Sequence, residues 1–184
     1  MYAKNTGDGW TNATVISDDL TNWNTGNSYN PAIAVDSNNT FHVVWRDDTD
    51  EGSGSDHDIM YSKNAGSGWT NATVISDDST NWNTGNSVDA EIAVDSAGTV
   101  HVVWYDDTDE GSGPDYDIMY SKNSGNGWTN ATVISDVASA WYDGSSVDPS
   151  IAVDSSNGVH VVWRDLTDGW WESDSEIMYS KNAG

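Results

Sequence analysis

The sequence contains no cysteine, three prolines, a single phenylalanine and six basic residues in a length of 184. Without cysteine there is no disulfide framework and no zinc–thiolate site, and nothing can be read about redox compartment. Six Lys and Arg against 30 Asp and Glu give a formal charge of −24. That balance excludes nucleic acid and anionic membrane surfaces as partners, because both are held by Lys and Arg. No apolar run is long enough to cross a bilayer as a helix, so no membrane insertion is expected. No basic-then-apolar leader precedes Met1, so any secretion signal is expected to have been removed or to lie outside this sequence. With phenylalanine so scarce, the 36% hydrophobic content rests on 11 Trp, eight Tyr and many Val and Ile. Those residue types favour strands.

What the sequence does have is repetition. "MYAKNTGDGW", "MYSKNAGSGW" and "MYSKNSGNGW" are followed by a closing "MYSKNAG", and Met1, Met60, Met119 and Met178 are each 59 positions apart. A fixed period with no insertion marks a repeat architecture.

Within the second repeat, "EIAVDS" (91–96), "TVHVVWYDD" (99–107), "DIMYSKN" (117–123) and "WTNATVIS" (128–135) are short apolar segments separated by turn residues. Val100, Val102 and Trp104 alternate with His101, Val103 and Tyr105, the period-two pattern of a strand covered on both faces. Gly-containing links of a few residues read as hairpins. No segment keeps a helical period. Four antiparallel strands per repeat predict an all-β fold, a β-propeller built of four-stranded blades. A β-sandwich is the second reading, but it gives no reason for strict repetition.

The expected organisation is one repeat domain over 1–184. Outer strands occupy 1–17, blades occupy 30–76 and 89–135, and a third blade at 148–184 lacks its outermost strand. Three blades do not close a ring, since propellers have about four to eight. An open set would leave apolar faces and unpaired edges. Either the chain belongs to a longer repeat protein or copies assemble. A homo-oligomer of two chains, giving six blades, is the expectation. Completion of a blade by exchange of terminal strands, even along a filament, is the alternative.

The acidic loop "DDTDEGSGSDHD" (47–58) groups hard oxygen donors with glycines, the ligand chemistry of Ca²⁺. Asp47, Asp50 and Glu51, with their repeat equivalents Asp106, Asp109 and Glu110, are the candidate metal ligands, and Ca²⁺ is the one candidate cofactor. The competing reading is a solvated acidic loop. His42, His101 and His160 share one repeat position, and three equivalent positions spread around a ring cannot share a metal. A structural role between strands is expected for them.

The tryptophans sort by position. Trp10, Trp69 and Trp128 should pack under turns, and Trp45, Trp104 and Trp163 should fill space between blades. Trp23, Trp82 and Trp141 sit in loops flanked by Asn, Thr and Ser, where an amphipathic ring suits sugar binding. Trp170 and Trp171 join them as candidate glycan-binding residues, because no apolar pattern accounts for them. The bland alternative is that each loop Trp folds back over its own blade.

The turn Ser62, Asn64, Gly66, Trp69 resembles the Asp-box of sialidase-like propellers, as do Ser121, Asn123, Gly125 and Trp128. Asn stands where that motif has Asp, and Gly where it has Thr. The resemblance implies a structural turn in Asn64, Gly66, Trp69, Asn123, Gly125 and Trp128. For sialidase activity it would also imply an arginine triad, a Tyr–Glu nucleophile pair and an Asp acid. Arg46 and Arg164 are the two arginines, with Tyr105 at the equivalent position of repeat two. Carboxylates that recur by repeats also fit poorly with the one asymmetric site catalysis needs. The expectation is therefore no enzyme, but a non-catalytic recognition module with a glycan ligand. Asn12, Asn71 and Asn130 open Asn-Ala-Thr sequons, and Asn38 opens Asn-Asn-Thr, so the expected location is secreted or cell surface. A structural or assembly protein is the alternative, and a fragment of an Asp-box glycosidase ranks behind both.

Overall fold

The computed structural model describes residues 1–5, 7–17, 26–48, 56–77, 85–108, 115–135, 144–166 and 175–182. They form a β-propeller array of three antiparallel sheets with no helix among the described residues. Blade 1 contains β1 (Ser28–Val35), β2 (Phe41–Asp47), β3 (Asp58–Asn64) and β4 (Thr73–Val74). Blade 2 repeats it as β5 (Ser87–Val94), β6 (Val100–Asp106), β7 (Asp117–Asn123) and β8 (Thr132–Val133). Blade 3 has β9 (Ser146–Val153), β10 (Val159–Asp165) and β11 (Glu176–Asn182). Each sheet runs in sequence order from its first strand outward.

Local chemistry fixes each connection. Asp36 closes the β1–β2 turn by accepting the Asn38 and Thr40 N–H groups at 2.9 and 2.7 Å. Asp95 and Asp154 do the same one and two repeats on. An Asp whose side chain imitates a backbone acceptor is what such tight turns select. After β3, the Asn64 amide oxygen accepts the Gly66 N–H at 2.7 Å while Gly66 and Gly68 stand at φ of 102° and 120°. Asn123 and Gly125 repeat this at 2.8 Å. Asn therefore serves the turn as Asp would, because only an acceptor oxygen is required.

The strands alternate faces, and the core forms between blades. Trp104 is fully buried with Val44, Ile59 and Tyr61 of blade 1. Trp163 packs with Val103 and Ile118 of blade 2. Trp45 lies with Val43, Met60 and Ala72, against Ile16 of the N-terminal segment. Each indole thus fills the boundary with the preceding blade. Truncating one would cost about 3–5 kcal/mol.

The N-terminal residues form a hairpin through bridges Tyr2 to Thr14 and Asn5 to Trp10. Tyr2 sits on Trp69 at 5.1 Å, as Tyr61 sits on Trp128 at 4.9 Å. The hairpin is therefore the outer half of a further blade, placed one step before blade 1. Trp69 and Trp128 are half-buried against these tyrosines, but Trp10 is 74% exposed. The expectation that all three turn tryptophans are packed is corrected at Trp10, against which no tyrosine ring packs among the described residues.

Candidate functional site

One end of the array gathers the starts of the first strands and the ends of the second strands. At that end Asp48 takes the backbone N–H of Asn27 and, at 2.8 Å, its side-chain amide, and Asp107 holds Asn86 in the same manner. In blades 1 and 2 these bonds clamp the start of the innermost strand to the end of the next; blade 3 has Ser145 and Leu166 there and keeps only the backbone bond from Leu166 N–H to the Ser145 carbonyl.

Just inside the clamp, each innermost strand carries a bulge. The bulge residues are Asn30, Asp89 and Asp148, at φ of 49°, 50° and 54°. Asn and Asp are the side chains that tolerate this left-handed conformation best, yet it still costs free energy. Repeating it in all three blades turns three polar side chains toward a shared space. Asn30, Asp89, Glu91 and Asp148, with Pro31 and Pro149, line a cavity of about 380 Å³ between the innermost strands.

The three blades are not equivalent here. Positions 30, 89 and 148 read Asn, Asp, Asp; positions 32, 91 and 150 read Ala, Glu, Ser; positions 46, 105 and 164 read Arg, Tyr, Arg. The Asn30 amide donates to the Asp89 carboxylate across the boundary between blades 1 and 2. Tyr105 bonds the same Asp89, and its hydroxyl is raised above its ordinary value by burial first, then by the charges of Asp89 and Asp148. Tyr116 meets Tyr105 edge to face at 5.2 Å. Arg164 Nε donates to Asp148 at 3.0 Å. Arg46 lies over the Tyr29 ring at 4.6 Å, and its Nε is buried with no hydrogen-bond partner among the described residues. Glu91 remains open to solvent, but its carboxyl is raised by partial desolvation and then by Asp89.

The expected sites fall differently. Trp23, Trp82, Trp141, Trp170 and Trp171 lie outside the described residues, as do Asp50, Glu51, Asp109 and Glu110. Asp47 and Asp106 are described and fully buried. Asp47 accepts the Ser28 hydroxyl at 2.7 Å and the Trp45 indole N–H at 3.0 Å. Asp106 accepts Ser87, the Trp104 indole and the Thr108 N–H. These two carboxylates tie strands together from inside the blade. Among the described residues no three His, Asp or Glu side chains converge as a metal cluster. His42, His101 and His160 each pair Nδ1 with a tyrosine hydroxyl of the next strand at 2.7–2.8 Å and face Asp36, Asp95 or Asp154 on the other side. They are inter-strand struts, one per blade.

The left-handed trio Asn30, Asp89 and Asp148 was missed in the sequence. Its signal was available: within "NPAIAVD", "DAEIAVD" and "DPSIAVD" the first residue is always Asn or Asp.

No family model matches this chain, and no curated protein matches it. Solved structures do. The Hadza microbial sialidase Hz136 superposes with a TM-score of 0.61 at 13% identity, over 89% of this chain and 37% of that one. Zg3597, a family 117 glycoside hydrolase of the marine bacterium Zobellia galactanivorans, gives 0.59 at 11% identity over 91% and 55%. The GH93 alpha-L-arabinofuranosidase of Fusarium graminearum gives 0.59 at 13% over 92% and 48%. The chain thus spans between about a third and just over half the length of these proteins. At such identities the likeness shows the fold, a β-propeller.

These comparisons correct the expectation that the chain is not an enzyme. The structures it superposes on include enzymes that act on glycans. The physical argument against catalysis also fails at the mouth. Repetition makes the backbone symmetric, but Asn30, Glu91, Tyr105 and the two arginines make the side-chain array asymmetric, with carboxylates in unlike environments.

Proposed function

We propose that the chain forms part of a carbohydrate-active propeller, with a glycan bound at the mouth lined by Asn30, Asp89, Glu91 and Asp148. The observation that carries this reading is the repeated left-handed bulge, which spends backbone free energy to aim polar groups into one cavity. Hydroxyl-rich ligands need such fixed donors and acceptors, with aromatic rings beside them. Tyr29, Tyr105 and Tyr116 supply rings near the mouth. The turns after β3 and β7 resemble the Asp-box, and the glycan-active propellers named above share the fold.

Glu91 favours a hydrolytic role for the same mouth. A carboxyl raised by desolvation and a neighbouring charge is suited to give a proton to a leaving oxygen, while Asp148, paired with Arg164, lines the same cavity. The proton would pass from Glu91 to the glycosidic oxygen as the carbon–oxygen bond breaks, with water supplying the hydroxyl to the sugar.

The test is a glycan array followed by product analysis on each glycan bound. Asp89→Asn should weaken binding at least tenfold with the fold intact by circular dichroism. Glu91→Gln should keep binding and remove any cleavage. Glycan binding indifferent to Asp89→Asn would move the site away from the mouth.

A further inference from the structure

Two intact blade boundaries show what a covered blade face looks like. Val44, Ile59 and Tyr61 of blade 1 are 0%, 0% and 7% exposed, and Val103 and Ile118 of blade 2 are 0%. Their equivalents on the outward face of blade 3, Val162, Ile177 and Tyr179, are 39%, 74% and 58% exposed. A cleft of about 350 Å³ also runs along β11, between Tyr120, Ile134, Val159, Val161 and Ser180. One boundary earlier, the equivalent space is filled by Trp128 and Ala131, packed with Tyr61, Val100 and Val102. At the opposite end, the N-terminal hairpin has beside it a groove of about 260 Å³ lined by Met1, Tyr2, Ile16, Ile33, Val43 and Trp45.

We propose that these surfaces are one interface, through which two copies of this chain close head to tail into a ring of six blades. The segment Trp10–Ser17 of each copy lies along β11 of the other, and β9 and β10 of that other copy fill the groove beside the hairpin. Trp10 then meets Tyr120 as Trp69 meets Tyr2 and as Trp128 meets Tyr61. Tyr179, the repeat equivalent of Tyr2, takes the place of Tyr2 on Trp69. The argument is continuity: the docked boundary uses the same positions, in the same register, as the two boundaries inside the chain.

The ring carries an internal competition. Met1–Asn5 and β11 are copies of one strand, and only one fits between β10 and Trp10–Ser17. Met1–Asn5 is held to its neighbour by two isolated bridges, whereas β11 pairs with β10 over seven residues. β11 prevails, and Met1–Asn5 is a placeholder that covers Phe41 and Trp69 until a second copy arrives. Each copy carries −24 charge, so association strengthens as salt screens the repulsion.

Mass photometry and sedimentation equilibrium on the full chain test this. The expected result is a species of twice the chain mass that gains population with protein concentration and with salt. Deleting residues 1–5 should tighten association about tenfold. Tyr179→Ala, which also gives up the His160 strut, and Trp10→Ala, at an exposed position outside the core, should each weaken it about tenfold with the fold intact by circular dichroism. A single-chain mass for both the native and the deleted protein overturns the proposal. So does association that both alanine variants leave unchanged, or growth into open-ended polymers.

Discussion

The Tyr61 ring on β3 meets the Trp128 ring edge to face, with centroids 4.9 Å apart and planes at 78°, across the boundary between blades 1 and 2. Tyr2 and Trp69 repeat the contact one blade earlier, at 5.1 Å and 72°. A phenol from one blade and an indole from the next form a latch repeated at the repeat period. It couples neighbouring blades directly, where the strand hydrogen bonds hold only each blade to itself.

The latch should be measurable by a double-mutant cycle. Aromatic pairs in this geometry contribute about 0.5–1.5 kcal/mol beyond the area they bury. Tyr61→Leu and Trp128→Leu should each lower stability in urea, with a coupling between them in that range. The same cycle on Tyr61 and Trp10, which do not touch, should give a coupling near zero. Equal coupling in both cycles would mean that the blades communicate by some route other than the ring pair.

A second prediction concerns pH. Asp58 is 3% exposed, and its carboxylate accepts the Ser76 hydroxyl at 2.9 Å. Burial, and then the charge of Asp77, push its pKa up to about 7 from an ordinary 3.8. Folding therefore favours the protonated acid. Its stabilising contribution is complete below 3.8 and is lost as pH rises through about 7. His42 and His101 act in the opposite sense. Burial holds both below the ordinary 6.5, so their contribution is complete above 6.5 and is lost as pH falls through the lower folded value. Asp58→Asn keeps an acceptor for Ser76 and removes the titration. At pH 8 it should raise the melting temperature by about 2–6 °C, and at pH 4 by much less. A melting temperature equally unaffected at both values would show that Asp58 is ionised in the fold without cost.

The fold was legible in this sequence because repetition multiplies every weak signal. A single "VHVVW" fits a strand or a short buried helix. "FHVVW" and two copies of "VHVVW" at a spacing of 59, each followed by "MYSKN" and a Gly, leave the propeller blade as the economical reading. Trp45, Trp104 and Trp163 were placed between blades by alternation alone. The mouth was far less legible. Asn30, Asp89 and Asp148 act through a backbone conformation, and period-two patterning does not register a left-handed bulge inside a strand. Asp47 and Asp106 were grouped with the loop acids for the opposite reason. They begin a run of acids that reads as one loop, but each still belongs to its strand and faces inward. Only the register, Ser28 opposite Asp47 and Ser87 opposite Asp106, separates them from the loop acids that follow. Trp10 shows a third limit, since whether a residue is covered depends on which neighbour the ring supplies.

The last prediction separates a strut from a ligand at Asp106. One oxygen accepts the Ser87 hydroxyl and the Trp104 indole N–H, the latter at 3.3 Å, and the other accepts the Thr108 N–H at 2.8 Å. The side chain is fully buried, and so is Trp104 beside it. Truncation to Ala leaves three donors without an acceptor, at about 1–3 kcal/mol for each that water does not reach. Partial hydration of the hole should bring the net loss to about 3–5 kcal/mol. That is a large share of the roughly 5–15 kcal/mol that holds a typical domain folded. The melting temperature of Asp106→Ala should therefore fall by about 10 °C, by the same amount in millimolar Ca²⁺ and in chelator. Asp109→Asn, three residues along in the loop, serves as the comparison and should move the melting temperature little in chelator. If Asp106→Ala were instead neutral in chelator and lost only a calcium-dependent gain, Asp106 would be a cation ligand. The hydrogen bonds to Ser87 and Trp104 would then contribute nothing to folding.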